Sequence, residues 1–254
     1  MRGKNLNASY AAAVVGGAAL LLGAGQRVRA SAPVNPAITW GTPTTISGDS
    51  DVLTTGTLVG AFDTGFTGVP GATVNGVAFQ PFAVPSDIAN ATTTVGNFAL
   101  HFDFRAASNS AFGSTSAPFS GLSSAYRTLL QSAAYDTSPD AITLTISGLT
   151  SGQTYNLELW ANFPSSSFAS PTTVTSTNSV NLDPNTTNTI GGVGQYVIGS
   201  FTANPGGTEV VTLSAAATPL INAFQLRTSA VPEPASLGVL AAGTSSLMLR
   251  RRKR

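Results

Sequence analysis

Ala141-Ile142-Thr143-Leu144-Thr145-Ile146-Ser147-Gly148-Leu149 alternates apolar and hydroxylated side chains and then meets a Ser-Gly turn. Period two is the pattern of a strand with one face buried, because successive side chains leave a pleated backbone on opposite sides. The next segment, 154–163, repeats it: Tyr155, Leu157, Leu159, Ala161 and Phe163 share one face, and Asn156, Glu158, Trp160 and Asn162 the other. Upstream, Leu100, Phe102 and Phe104 alternate with His101, Asp103 and Arg105. Further strands are expected at 58–63, 74–82, 195–201, 209–214 and 220–227, separated by Gly, Pro, Asn and Ser clusters. Strands of this length with turns between them predict an all-β domain, an antiparallel β-sandwich. One helix is expected over 123–134, where Leu122, Tyr126, Leu129, Leu130 and Ala133 share a face and Ser123 or Ser124 serves as cap; its expected place is one end of the sandwich. The Ser/Thr-rich stretches 108–120 and 164–179 read as exposed loops.

Both ends of the chain have a different character. Arg2 and Lys4 precede an apolar 10–25 stretch and the small-residue site Val28-Arg29-Ala30, which together predict a secretory signal peptide over 1–30, cut after Ala30. At the other end, Pro232-Glu233-Pro234 fixes φ at two of three positions and removes two backbone donors, so an extended, unpaired peptide is expected. The apolar stretch 237–249 falls short of the ~20 residues of a stable spanning helix. Arg250, Arg251, Arg252, Lys253 and Arg254 follow it and hold that end on the cytoplasmic side. Segment 231–254 thus reads as a marginal membrane helix behind a processing motif, and one folded domain is expected over 31–230.

Charge is partitioned unevenly. The whole chain has 12 basic and 11 acidic residues. The 31–230 body has only Arg105, Arg127 and Arg227 against ten acids, a net −7, and no lysine. That balance excludes nucleic acid and anionic membrane surfaces as expected partners. With no cysteine, stability must come from a packed core, and thiol nucleophiles and thiolate metal sites are excluded.

The tail resembles the PEP-CTERM sorting signal of Gram-negative bacteria, with motif, apolar stretch and basic cluster in that order. The resemblance implies that Pro232, Glu233 and Pro234 are recognised by an exosortase-type membrane enzyme. It also implies a transient inner-membrane contact and an exported destination at the cell surface or in the extracellular matrix. The body resembles, through 141–149, 154–160, 194–199 and 221–227, the jelly-roll sandwiches attached to such tails, an architecture like that of galactose-binding and carbohydrate-binding modules. Fold does not fix function, and no motif of those modules transfers residue by residue.

Catalytic constellations are incomplete. Gly48-Asp49-Ser50 is similar to the nucleophile block of the SGNH esterases, but the required Asp-x-x-His is missing: the only histidine, His101, follows Phe98 at −3. Gly121-Leu122-Ser123-Ser124-Ala125 lacks the final glycine and the α/β context of a nucleophile elbow. Carboxylate pairs such as Asp49/Asp51 and Asp136/Asp140, and the two body glutamates Glu158 and Glu209, leave a glycoside hydrolase or lyase as the enzymatic alternative. The expected protein is a non-enzymatic surface or matrix component associating with exopolysaccharide, or a purely structural one with no glycan pocket. Trp160 among Asn156, Glu158 and Asn162 offers the aromatic face and hydrogen-bonding groups that sugars need, unless a loop or the helix covers that face. Trp40 reads as a core or edge anchor, and His101, Asp103 and Arg105 as an exposed ion-paired row. No cofactor is expected beyond a structural Ca²⁺, for which Asp49 and Asp51, and Asp183 with Asn185 and Asn188, supply hard oxygen ligands without completing a loop motif.

Overall fold

The computed structural model describes residues 37–85, 88–136, 141–165 and 170–229, all within one compact unit. The signal peptide over 1–30 with its Ala30 site, the 231–254 sorting segment and Asp140 lie outside the described residues. Among the described residues no helix is long and apolar enough to cross a membrane.

The chain forms β1 (Thr39–Trp40), β2 (Thr44–Thr45), β3 (Leu58–Gly65), β4 (Ala72–Val74), β5 (Val77–Ala83), β6 (Ile88–Val95), β7 (Phe98–Ser108), α1 (Ser124–Gln131), β8 (Ala133–Asp136), β9 (Ile142–Ile146), β10 (Thr154–Ala161), β11 (Thr172–Thr175), β12 (Ser179–Leu182), β13 (Gln195–Thr202), β14 (Glu209–Ser214), β15 (Leu220–Ile221) and β16 (Ala223–Thr228). The first eight-stranded sheet runs β1-β13-β10-β16-β3-β5-β4, with β2 also on β13. The second runs β12-β11-β14-β9-β7-β8-β15, with β6 also on β7. All pairs are antiparallel except β3 with β5. The expected all-β, antiparallel-rich sandwich is therefore the observed class.

The period-two segments meet face to face. Leu157, Leu159, Val197, Phe224 and Leu226 of the first sheet share one core with Leu100, Phe102, Ile142, Leu144, Ile146 and Leu213 of the second. Phe62, Phe82, Phe98 and Phe224 form an aromatic cluster there, with ring centroids 4.8–5.8 Å apart. A second core lies on the far side of the first sheet, where Trp160, Ala61 and Ala223 pack under Val52, Phe119, Tyr126, Leu129 and Leu130. The helix covers this outer face instead of plugging an end. At the centre of the second sheet's outer face Thr143, Thr145 and Thr212 are half-exposed, with no such cover among the described residues.

Three local expectations are corrected. The helix starts where expected, with the Ser123 hydroxyl accepting from the Tyr126 N–H at 3.1 Å, but it stops at Gln131. Residues 133–136 join the second sheet, because Ala133 and Ala134 are small enough to lie buried between β7 and β15. The single strand expected over 74–82 is a hairpin: Asn75 and Gly76 adopt positive φ (48° and 76°) between paired Val74 and Val77, the two-residue turn that Asn-Gly favours. The stretch 164–179 contains β11, whose Val174 is buried. Trp40 is the edge anchor expected: its indole lies over Gly199, where a Cβ would collide with it, and its Nε1 donates to the Asn178 carbonyl at 3.2 Å.

Candidate functional site

Alternation along β10 divides the side chains as the sequence indicates, but the face with Trp160 is not open to a ligand. Trp160 is 0% exposed, stands edge-on to Phe79 (centroids 5.6 Å), stacks on Tyr196 (6.3 Å) and donates its Nε1–H to the Tyr126 hydroxyl at 2.9 Å. Glu158 and Asn162 are equally buried, and Asn156 is half-buried opposite Ser200 and Arg227. The glycan platform expected at Trp160, Asn156, Glu158 and Asn162 is corrected: α1 and the 46–52 segment remove most of this face from solvent.

A strap over residues 47–56 is tied down by the polar groups of that face. Glu158 accepts from the Leu53 N–H at 3.1 Å and from Gln225 Nε2 at 2.5 Å, while Gln225 also donates to the Leu53 carbonyl at 2.9 Å. Arg227 donates to the carbonyls of Thr54, Thr55 and Gly56, each at 2.9 Å. Asp51 accepts from Ser47 N (2.7 Å), Ser47 Oγ (2.7 Å), Gly48 N (3.0 Å) and the Tyr126 hydroxyl (3.4 Å); Asp49 accepts from Ser123 Oγ at 2.6 Å. These carboxylates are occupied by the protein's own donors, so the Asp49/Asp51 loop works as a strap anchor and not as an open calcium shell. Asp183 accepts from the Asn185 N–H at 2.9 Å, and Asn185 donates to the carbonyls of Ser165 and Thr189. Among the described residues no group of three or more acidic, histidine or cysteine side chains is placed to hold a metal.

Burial dominates the acid–base chemistry of this region. It pushes the Glu158 carboxyl from 4.5 up to about 7; the Gln225 and Leu53 hydrogen bonds pull the other way, Asp51 adds to the rise and Arg227 opposes it. Glu158 Oε1 is buried without a hydrogen-bond partner, which suits a protonated acid. Burial likewise lifts Asp63 from 3.8 to about 7, against the opposing hydrogen bonds from the Ser132 hydroxyl and the Gly71 backbone. Both folded values exceed the unfolded ones, so the folded chain holds extra protons between about pH 4 and 7. The associated stability is complete below the unfolded values and disappears as pH rises through about 7. Urea unfolding is expected to show stability falling from pH 5 to pH 8 by an amount on the order of 2–3 kcal/mol per group, with Glu158→Gln flattening that decline. A midpoint that rises over this interval would contradict the assignment.

At Asn222 the chain crosses from the second sheet to the first: Leu220–Ile221 pair with β8, and Ala223 onward with β10 and β3. The Asn222 Nδ2 donates to the carbonyls of Leu130 (2.9 Å), Ser132 (2.9 Å) and Asn162 (3.1 Å), and its Oδ1 accepts from the Asn162 N–H at 2.6 Å. A lone Asn within an apolar run has no periodic signature, so nothing in the sequence marks this corner.

Among the described residues the Ser50 nucleophile reading gains no histidine. Ser50 lies in the strap's 3₁₀ turn over the first sheet, whereas His101 lies on β7 of the second, half-exposed, 3.0 Å from Thr92 Oγ1 and 3.6 Å from Asp103. Asp136 is buried and accepts from the Phe104 N–H at 3.2 Å.

An open polar groove of about 630 Å³ lies instead beside α1. Ser124, Arg127, Thr128 and Gln131 line one wall from the same helix face, at spacing i, i+3, i+4 and i+7. Ser110, Ser114 and Thr115 form the other wall, and the buried Phe119 borders the groove. The Arg127 guanidinium has no hydrogen-bond or ion-pair partner among the described residues, and its Nε is buried. The polar stripe of the predicted helix was the available sequence signal for this wall; the 110–115 wall read only as loop. The sequence matches no family model and no curated protein.

Proposed function

We propose that this chain is an exported, non-enzymatic surface or matrix protein, sorted by its C-terminal Pro-Glu-Pro segment and associating with exopolysaccharide through its β-sandwich. The observation that carries the reading is the ordered tail: Pro232-Glu233-Pro234, an apolar stretch too short for a firm anchor, and five terminal cations. A jelly-roll arrangement like that of carbohydrate-binding modules is the finer architecture we assign. The chain's crossing between sheets at Asn222 and the hydroxyl-lined groove beside α1 support it. With Trp160 buried, that groove takes over the glycan-contacting role.

Glu233 is the only charge between Arg227 and Arg250, and it stands between two prolines, a sequence for which an extended backbone is expected. In the native host the wild-type protein is expected to leave the inner membrane without its last ~20 residues, those that the membrane-length argument assigns to anchoring. Glu233→Ala is expected to remain membrane-bound and full length. Intact-mass measurement of protein recovered from the cell surface decides this: a retained Arg254 overturns processing. Co-sedimentation with the host's own exopolysaccharide tests the association.

A further inference from the structure

The geometry points to the groove beside α1 as a site for a carboxylated sugar, a hexuronate unit of a polysaccharide, with Arg127 clasping the carboxylate. This rests on the polysaccharide reading above and names the ligand class of the same groove.

A body with net charge −7 repels anions at long range, so an anionic ligand must be held by a local cation. Arg227 is spent on the strap carbonyls. Arg127 is half-buried on the groove wall and has no partner among the described residues; its Nε is out of contact with water as well. A buried N–H of a charged group left unpaired costs more than a neutral one, and a planar guanidinium fork matches a carboxylate with two parallel hydrogen bonds. The groove around it is hydroxylic. The side chains of Ser110, Thr115, Ser124 and Gln131 are without hydrogen-bond partners among the described residues, leaving donors and acceptors for ring hydroxyls. Its volume of about 630 Å³ lies within the ordinary size of a ligand pocket. A bare phosphate or sulfate would use the guanidinium and leave these hydroxyl groups unused; a uronate uses both.

Calorimetry on the chain as recovered from its host, with a galacturonate oligomer, the matching neutral galactose oligomer and inorganic phosphate, tests the assignment. The uronate oligomer is expected to bind at least tenfold tighter than the neutral one, and Arg127→Gln to abolish that preference. Ser124→Glu sets a carboxylate in the groove at a helix position that favours acids. It should remove uronate binding with the melting temperature kept, and it decides the matter if Arg127→Gln fails to fold. Equal binding of uronate and neutral oligomers overturns this inference and leaves the polysaccharide reading standing. Phosphate competing as well as the uronate overturns it in favour of a bare anion site. Failure to bind either oligomer overturns it too, and takes the broader reading with it only if the host exopolysaccharide also fails to retain the protein.

Discussion

Trp160→Ala is expected to cost about 3–5 kcal/mol of folding stability, the range for emptying a buried aromatic site. The indole is fully enclosed between Phe79 and Tyr196. Its ring contacts contribute beyond area burial, on the order of 0.5–1.5 kcal/mol for each aromatic pair. Truncation also removes the donor to the Tyr126 hydroxyl, which bridges α1 to the strap through Asp51. Trp160→Phe keeps the edge-on contact with Phe79 and loses the donor, so a smaller loss, about 1–3 kcal/mol, is expected. Urea denaturation followed by circular dichroism measures both. A Trp160→Ala protein within 1 kcal/mol of wild type, on the scale of an ordinary surface change, would mean that the second core does not carry the first sheet's outer face. If glycan binding is lost in this variant, it should be lost only in proportion to the unfolded fraction, in contrast to Arg127→Gln.

Asn222→Ala is expected to be comparably severe. One carboxamide serves three carbonyls and one N–H at the point where the chain changes sheets, and all of it is shielded from water. Each buried backbone group left without a partner costs about 1–3 kcal/mol. These penalties overlap, and a total loss of about 3–5 kcal/mol is expected. Asn222→Asp is the sharper test because the two side chains have the same shape. The aspartate keeps the acceptor for the Asn162 N–H but turns an oxygen toward three carbonyl oxygens, so it is expected to be at least as destabilising, and more so at pH 8 than at pH 4. Wild-type stability in Asn222→Asp, read from chemical denaturation, would remove the case for this corner as a pin between sheets.

The two buried polar sets act differently on the same face. Asn222 joins α1, β10 and the sheet-crossing segment and is neutral, so its contribution is independent of pH. Glu158, Gln225 and Arg227 hold the strap with groups of which one titrates near neutrality. Strap attachment is therefore one pH-sensitive part of the second core, and the Asp63 contact with Ser132 at the end of α1 is another. Truncating one partner of such a buried set leaves the others uncompensated, which is why Glu158→Gln, an amide of equal size, is the informative substitution there.

The sequence by itself determined the strand periods, the inner-face residues Leu144, Ile146, Leu157 and Leu159, and a serine cap at 123 or 124 of which the structure chose Ser123, because each depends on neighbours a few residues away. The Asn75-Gly76 turn is equally local, an Asn-Gly pair inside the segment expected as one strand over 74–82. What only the tertiary structure decided is what covers each face. Period two says that Trp160 and Leu159 point in opposite directions; it cannot say that a strap about a hundred residues earlier and a helix thirty residues earlier close over the indole. The same holds for 133–136, where pairing with β7 and β15 overrode the helical preference of two alanines. It holds for Arg127 too, whose spacing gave the wall of a groove but whose opposite wall comes from a loop without period. Burial and concavity belong to pairs of elements, and a single strand's sequence contains only its own half of the pair.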